Sequence, residues 1–321
     1  MQIIVGNNKS YALGRNRPPV PHAFHLKDFE PNLAAFGTVP SSTGFTSIPA
    51  AQPVLRNILG NGTYGCCTEA DQYHRQAARQ AVASLSDPSI VVYDASVNDV
   101  LATYGRDTGF TLADPNSDQG ADETVVLANA VQYGITSGPG TVDRAAGSMQ
   151  LDETNRALYR ACLTFFGPLV ICMELPDSVT NNIPSGDGYL WSLTKGGVYV
   201  PNPNSGHCYT FGDQTDTGNE VIWTWAMKST ATDDFIAAGC SASNGGALYA
   251  ELDAQMLPGI ISQSPDALNW QKMVTAWQAA GGAAPSGMKT VPNGKGGFIN
   301  VIVKEAECLV EWVEAKLGRK L

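Results

Sequence analysis

Hydrophobic positions take up a helical period just after residue 67. Ala70, Tyr73, Ala77, Ala78, Ala81, Val82 and Leu85 recur at i, i+3, i+4 and i+7 spacings, so the pattern predicts a helix that starts at Cys67. Ser96 followed by Asp99 has the form of a capping box, with Val97, Val100, Leu101 and Tyr104 continuing as a second, shorter helix. Further helices are expected over 122–133, closed by Gly134, and over 152–166, where Leu158, Cys162 and Phe165 share a face. From Leu169 the pattern changes to strands, expected at 169–173, 197–200, 209–211, 220–225 and 247–252. Helices first and strands afterwards predict an α+β fold of two lobes, one helical and one of antiparallel strands.

The flanks read differently. Residues 1–50 form an arm rich in Pro, Gly, Ser and Thr, 51–258 a main domain, and 259–321 a C-terminal extension. Within that extension an amphipathic helix is expected over 266–280, a linker over 281–287, a strand over 298–303 and a terminal helix over 304–317. A tethered strand and helix suit docking on a neighbour, and equally suit packing on the chain's own core.

With 321 residues, 43% hydrophobic and 16% charged, the composition is that of a globular protein. A formal charge of −10 argues against a nucleic-acid partner, and the basic residues Arg15, Arg17 and those over 316–320 read as solvated ends. The N-terminus has too short an apolar stretch for a signal core, and no run is long enough to span a membrane. Export by the ordinary signal-peptide route is therefore not expected, which leaves a cytoplasmic location as the expectation. Seven cysteines with no CxxC spacing disfavour a disulfide framework or a zinc site, and no cofactor is implied.

The chemistry is in two segments. GNGTYGCCTEAD, residues 60–71, places Cys67 at a glycine-rich turn running into a helix, where free amides and the helix dipole favour a thiolate. A thiolate needs a proton acceptor, and the chain has four histidines. His22 and His25 lie in the Pro-rich arm, and His74 is expected on the solvated side of the cysteine helix. His207, in SGHCYTFGD, residues 205–213, precedes a strand pattern and is the candidate base. Cys162, Cys172, Cys240 and Cys308 are expected as core thiols, Cys208 beside the strand, and Cys66 as a spectator or a vicinal partner of Cys67.

These two segments, in this order, resemble the papain-like cysteine peptidases, and more closely the divergent papain-like proteins of bacteria and their phages. In that family a glutamine six residues before the cysteine donates to the oxyanion; here the position is Asn61, inside a Leu59-Gly60-Asn61 lead-in typical of the divergent group. The segments 117–135, 167–176 and 221–239 are similar as well, so the resemblance covers roughly residues 20–258. It implies a two-lobed fold with the cysteine helix in one lobe and the histidine on the sheet of the other.

The chain also departs from the family. An asparagine two residues before a downstream tryptophan usually orients the imidazole, but two before Trp225 stands Trp223, with Thr224 between. Ala226 replaces the glycine after the tryptophan, Thr68 the tryptophan after the cysteine, and Cys66 an acidic or small residue. Asn61 is one methylene shorter than glutamine.

Two functions follow. In one the chain is a thiol hydrolase of the peptidase or amidase type, with Cys67 as nucleophile, His207 as base and Asn61 as oxyanion donor, acting on a peptide or protein substrate. In the other it is a structural or assembly protein of a bacteriophage virion, with a weak or vestigial site and terminal arms that hold it in a homo- or hetero-oligomer; Cys66 or Cys240 would then serve as surface thiols for crosslinks. Neither reading calls for a membrane.

Overall fold

The computed structural model describes residues 2–6, 9–18, 22–183, 186–193, 197–254 and 266–279. The N-terminal segment supplies three short strands, β1 (Gln2–Gly6), β2 (Lys9–Leu13) and β3 (Arg15–Asn16). Helices α1 (Gln52–Leu55), α2 (Cys67–Ser86) and α3 (Val97–Thr108) follow, then β4 (Ala121–Asp122), α4 (Glu123–Gln132) and the hairpin of β5 (Ile135–Gly138) with β6 (Thr141–Asp143). The second half runs through β7 (Ala145–Gln150), α5 (Arg156–Phe166), β8 (Leu169–Glu174), α6 (Asp177–Thr180), β9 (Leu190–Trp191), β10 (Gly206–Asp213), β11 (Asn219–Thr224), β12 (Met227–Thr232), α7 (Asp233–Gly239) and β13 (Ala247–Asp253) to α8 (Trp270–Ala279).

Seven strands form one sheet in the order β7-β13-β8-β10-β11-β12-β9, antiparallel except for the parallel edge pair β12 and β9. The architecture is therefore the expected α+β arrangement. α1, α2 and α3 enclose one core cluster that includes Leu59, Tyr73, Val100 and Tyr104, while the larger cluster lies on the sheet and takes in α5 and α8.

Local signals explain where the helices begin. Ser96 caps α3 by accepting from Asp99 N, and the Asp99 side chain returns the bond, so the expected capping box is present. Asp122 caps α4 through Thr124 N and Val125 N. α5 starts later than expected, at Arg156, because Asp152 is spent on a turn with Thr154 and Asn155 takes the cap by accepting from Leu158 N. No strand forms over 197–200: Val198 and Val200 are exposed, and the edge of the sheet is supplied by β9 instead.

α2 is not the half-solvated helix that its period predicts. Every residue from Cys67 to Arg79 is buried, because the helix lies between the two lobes and packs on β10. His74 is consequently buried, with its Nε2 at 3.0 Å from the Asn57 carbonyl, and burial lowers its pKa. The polar residues of α2 meet the sheet through ions. Asp71 accepts from Thr210 Oγ1 at 2.6 Å and pairs with Arg75 at 2.8 Å; Arg75 and Arg79 in turn reach Glu251 of β13 at 3.1 and 2.8 Å. Burial alone would raise the Glu251 carboxyl, but the two guanidinium groups bring it below the usual range.

The arm is part of the core. Tyr11, Leu13, Leu26, Phe29 and Phe36 are all buried in the large cluster. Arg15, read from sequence as solvated, is buried in a two-point ion pair with Glu123 and also donates to the Gly245 carbonyl. At the other end α8 buries Trp270, Met273, Val274 and Trp277, with the Trp277 ring seated where any Cβ on Gly147 of β7 would lie. The expected amphipathic helix is thus found within 266–280, packed on the chain's own core. The linker, strand and terminal helix expected over 281–317, the basic residues over 316–320 and Cys308 lie outside the described residues.

Glu69 carries a cost that can be measured. It is fully buried, neither carboxylate oxygen has a hydrogen-bond partner among the described residues, and burial followed by repulsion from Asp107 pushes its pKa well above the carboxyl range. The folded chain therefore keeps a proton that the unfolded chain releases, so stability falls as pH rises out of the ordinary carboxyl range. Glu69→Gln removes this titration: urea denaturation should show the variant gaining on wild type by about 1.4 kcal/mol per pH unit above the unfolded carboxyl pKa, until the folded carboxyl also ionises.

Candidate active site

Asn61, Cys67 and His207 line a single small cavity between the lobes, together with Cys208, Thr224 and Trp225. Three elements bring them there. The turn after α1 supplies Asn61, with Leu59 and Gly60 both at positive φ, 53° and 85°. α2 supplies Cys67 in its first turn, and β10 supplies His207 and Cys208 at the end nearest that turn.

Along β10 the side chains alternate. Thr210 reaches Asp71 of α2, and Cys208, on the same face, packs with Cys67. His207 stands at the strand end and stacks between aromatic rings. Its imidazole lies nearly parallel to Trp225, with centroids 4.2 Å apart and planes 16° apart, and 5.6 Å from Tyr209. A tryptophan on a strand or its turn is ordinarily a core aromatic. Trp223 is one, donating to Thr46 Oγ1 at 2.8 Å, whereas Trp225 forms a wall against the imidazole.

The partner of the imidazole is Thr224, which the sequence left unassigned. His207 Nε2 is 2.6 Å from Thr224 Oγ1, and His207 Nδ1 has no hydrogen-bond partner of its own among the described residues. Thr224 holds this place because β11 and β12 are joined by a two-residue turn, Trp225-Ala226, with φ of 48° and 62°. Both turn residues are left-handed, the type I′ pattern in which glycine and asparagine are usual. Ala226 therefore sits where a glycine would be unstrained, and the Trp225 backbone is held by the packing of its ring on His207 and Tyr11. Asp213, also near in sequence, is turned away and held by Thr43 and Thr46.

The Asn61 side chain is buried, and its amide nitrogen has no hydrogen-bond partner among the described residues. A buried amide donor lining the cavity beside Cys67 is chemically available to an oxyanion. Cys67 itself is 2% exposed. Burial raises its thiol above the ordinary range and the contact with Cys208 adds to this, while His207 pulls it down. Desolvation thus outweighs the helix start that led the sequence reading to expect a thiolate. Cys66 and Cys240 are fully buried free thiols, so neither is at the surface for crosslinking, and Cys66 is not bonded to Cys67.

Residues 11–17 cross from one lobe to the other beside this cavity. Tyr11 packs 5.2 Å from Trp225, Ala12 N donates to the Asn61 carbonyl at 2.8 Å, and Ala121 N donates to the Gly14 carbonyl at 2.7 Å. β3 then pairs with β4, and the Arg15 carbonyl rests on Gly206. Gly14 is pressed so closely onto Gly65 and Gly120 that a Cβ there would overlap the Gly65 backbone. Among the described residues no group of three or more His, Cys, Asp or Glu side chains is disposed to hold a metal ion, and no helix is long and apolar enough to cross a membrane.

No protein-family model matches the chain, and no curated protein matches it by sequence. Solved structures do. The crystal structure of xylellain, a cysteine protease from Xylella fastidiosa, aligns with a TM-score of 0.50 and 14% identity over 77% of this chain and 98% of that one. A structure reported for the mite allergens Blo t 1 and Der p 1 aligns at 0.44 with 13% identity over 70% of this chain and 74% of that one. Procathepsin B S9 from Trypanosoma congolense aligns at 0.48 with 11% identity over 75% and 86%. The fold argument rests on xylellain, and what that likeness shows is a shared papain-like fold.

Removing the Thr224 hydroxyl should leave a buried imidazole nitrogen unpaired. Thr224→Val is expected to cost about 1–3 kcal/mol in urea denaturation, and Thr224→Ser, which keeps the hydroxyl, a smaller part of that.

Proposed function

We propose that this chain, with its papain-like fold, is a thiol hydrolase of the peptidase or amidase type. One observation carries the reading: Cys67, His207 and an unpaired Asn61 amide line the same cavity. In the proposed reaction His207 Nδ1 takes the Cys67 proton, and the sulfur attacks a peptide or amide carbonyl carbon. The oxyanion receives hydrogen bonds from Asn61 Nδ2 and the Cys67 backbone N–H at the free start of α2. Collapse of the tetrahedral intermediate expels the amine, which takes the proton from His207, and leaves an acyl-thioester on Cys67. Water, deprotonated by the same imidazole, then releases the acid and restores the thiol. Thr224 holds the ring and Trp225 walls it from solvent.

Residues 11–17 pack beside the cavity and touch both lobes, and in this reading they lie across the path of a large substrate, whose hydrolysis requires that segment to leave. This also bears on the assembly reading. The N-terminal arm, whose length favoured an assembly role, is packed on its own chain beside the cavity, and Thr224 stands in hydrogen-bond contact with the imidazole that the missing asparagine would orient. Bacterial or phage origin rests on the sequence resemblance alone.

Gly14→Val gives the segment a side chain that its seat cannot hold, and should free the cleft. Alkylation of Cys67 by a small haloacetamide, followed by peptide mapping, is expected to be slow in wild type near pH 6 and faster in Gly14→Val. The gain should vanish in Gly14→Val combined with His207→Ala. Against fluorogenic peptides the opened variant should turn over, with Asn61→Ala lowering the rate by on the order of a hundredfold. An opened cleft in which Cys67 labels no faster than an ordinary thiol, with no turnover, would overturn the hydrolase reading.

A further inference from the structure

Behind Cys67 stand two more thiols that the hydrolase does not use. Cys208 and Cys172 occupy directly opposed positions on the antiparallel strands β10 and β8, and their sulfurs are 2.6 Å apart. All three cysteines belong to one small buried cluster with Val170 and Tyr249. Cys208 is central: it makes sulfur contacts with Cys172 on one side and with Cys67 on the other. Burial raises all three above the ordinary thiol range, so at rest they are neutral thiols in contact and not ions. Opposed residues on antiparallel strands have Cα atoms about 4.5–5.5 Å apart, inside the span that a disulfide bridges without moving the backbone. Cys67 and Cys208 also line the same small cavity.

We propose that Cys67, Cys208 and Cys172 form an oxidation relay, a modification site for hydrogen peroxide or a small organic hydroperoxide. It rests on the hydrolase reading only in taking Cys67 as the thiol that His207 activates. The Cys67 thiolate attacks one peroxide oxygen, the O–O bond breaks, and the departing oxygen leaves as water or alcohol with the proton from His207. Cys67 is then a sulfenic acid. Cys208 attacks that sulfur, forming a Cys67–Cys208 disulfide and releasing water. Cys172 next attacks the Cys208 sulfur, so the Cys172–Cys208 disulfide forms and Cys67 leaves as a thiolate that regains a proton. In sum two thiols are oxidised to a disulfide and one hydroperoxide is reduced to water, or to water and the corresponding alcohol. The nucleophile is returned reduced, and the oxidising equivalents are stored across two strands of the sheet, where a dithiol reductant clears them.

The test uses the full chain, reduced, freed of reductant and treated with near-stoichiometric hydrogen peroxide. It is then alkylated under denaturing conditions and mapped without reduction. Wild type should yield a linked peptide pair containing Cys172 and Cys208, with Cys67 recovered alkylated. Cys172→Ala should stop at the Cys67–Cys208 disulfide, and Cys208→Ser should instead hold Cys67 as the sulfenic acid, which a second and third equivalent of peroxide carry on to the sulfinic and sulfonic acids. Cys67→Ala should slow formation of the Cys172–Cys208 disulfide by about tenfold or more. The relay is overturned if Cys67 over-oxidises in wild type as fast as in Cys208→Ser, or if the strand disulfide forms equally fast without Cys67. Should Cys208→Ser fail to fold, the Cys172→Ala map decides alone, since absence of a Cys67–Cys208 link there is also an overturning result. Because every readout is a mass and not a turnover, a chain that relays oxidation yet hydrolyses nothing is recognisable as such.

Discussion

The docking of α2 on the sheet is what the rest of the site depends on. The helix is buried on nearly all sides, so its ionic residues must be satisfied by the opposite lobe: Asp71 by Thr210, and Arg75 and Arg79 by Glu251. Removing one member of such a network leaves an uncompensated buried charge, at a cost of about 3–5 kcal/mol, so a slip of the helix by even one residue is strongly opposed. Cys67 lies four residues before Asp71, a helical rise of about 6 Å, and is therefore placed against β10 by contacts that take no part in chemistry. The same strand carries Thr210, Cys208 and His207 in succession, so one register sets Cys67, His207 and Cys208 against one another.

Two effects oppose one another at Cys67. A helix start stabilises a nearby anion by roughly 0.3–1 kcal/mol, up to about 2 when partly buried, and His207 adds to this. Burial acts in the other direction, and it prevails, because the thiol is 2% exposed and faces Cys208. The closure depends on glycine. Gly14, Gly65 and Gly120 approach so nearly that no side chain fits between them, which lets residues 11–17 thread the cleft with main-chain bonds to Asn61 and Ala121. On the proposed reading, the protonation state of Cys67 is coupled to whether that segment is seated.

Much of this was legible in the sequence, for reasons tied to particular residues. The apolar spacing after Cys67, the Ser96–Asp99 box and the Gly134 stop gave α2, α3 and α4, and the run over 169–173 gave β8. β7 and β12 were missed because AAGSMQ and MKSTAT have few large apolar side chains; their faces are filled by neighbours such as Trp277. His74 and Arg15 were misplaced because polar residues on a helix or in a Pro-rich arm read as solvated, and only the tertiary partners Asn57 and Glu123 make their burial affordable. The meeting of Asn61, Cys67 and His207 came from motif order. Thr224 did not, since a search for asparagine at a fixed offset passes over a hydroxyl one residue further on.

That substitution changes more than an atom type. An asparagine carbonyl can only accept, so it fixes the proton on Nε2 and leaves Nδ1 with its lone pair free for a thiol. A threonine hydroxyl can accept from Nε2 or donate to it, so both tautomers of His207 satisfy the 2.6 Å contact. Only the form protonated at Nε2 can receive the Cys67 proton, and the proposed hydrolysis and the proposed peroxide reduction would both begin with that transfer. Its weight is then set by what Nδ1 faces: a neutral thiol offering its hydrogen favours the lone pair there, and hence the competent tautomer. In the proposed reaction the base is therefore prepared by its own substrate proton, a looser arrangement than one fixed by an amide, and one suited to a nucleophile kept protonated until residues 11–17 leave.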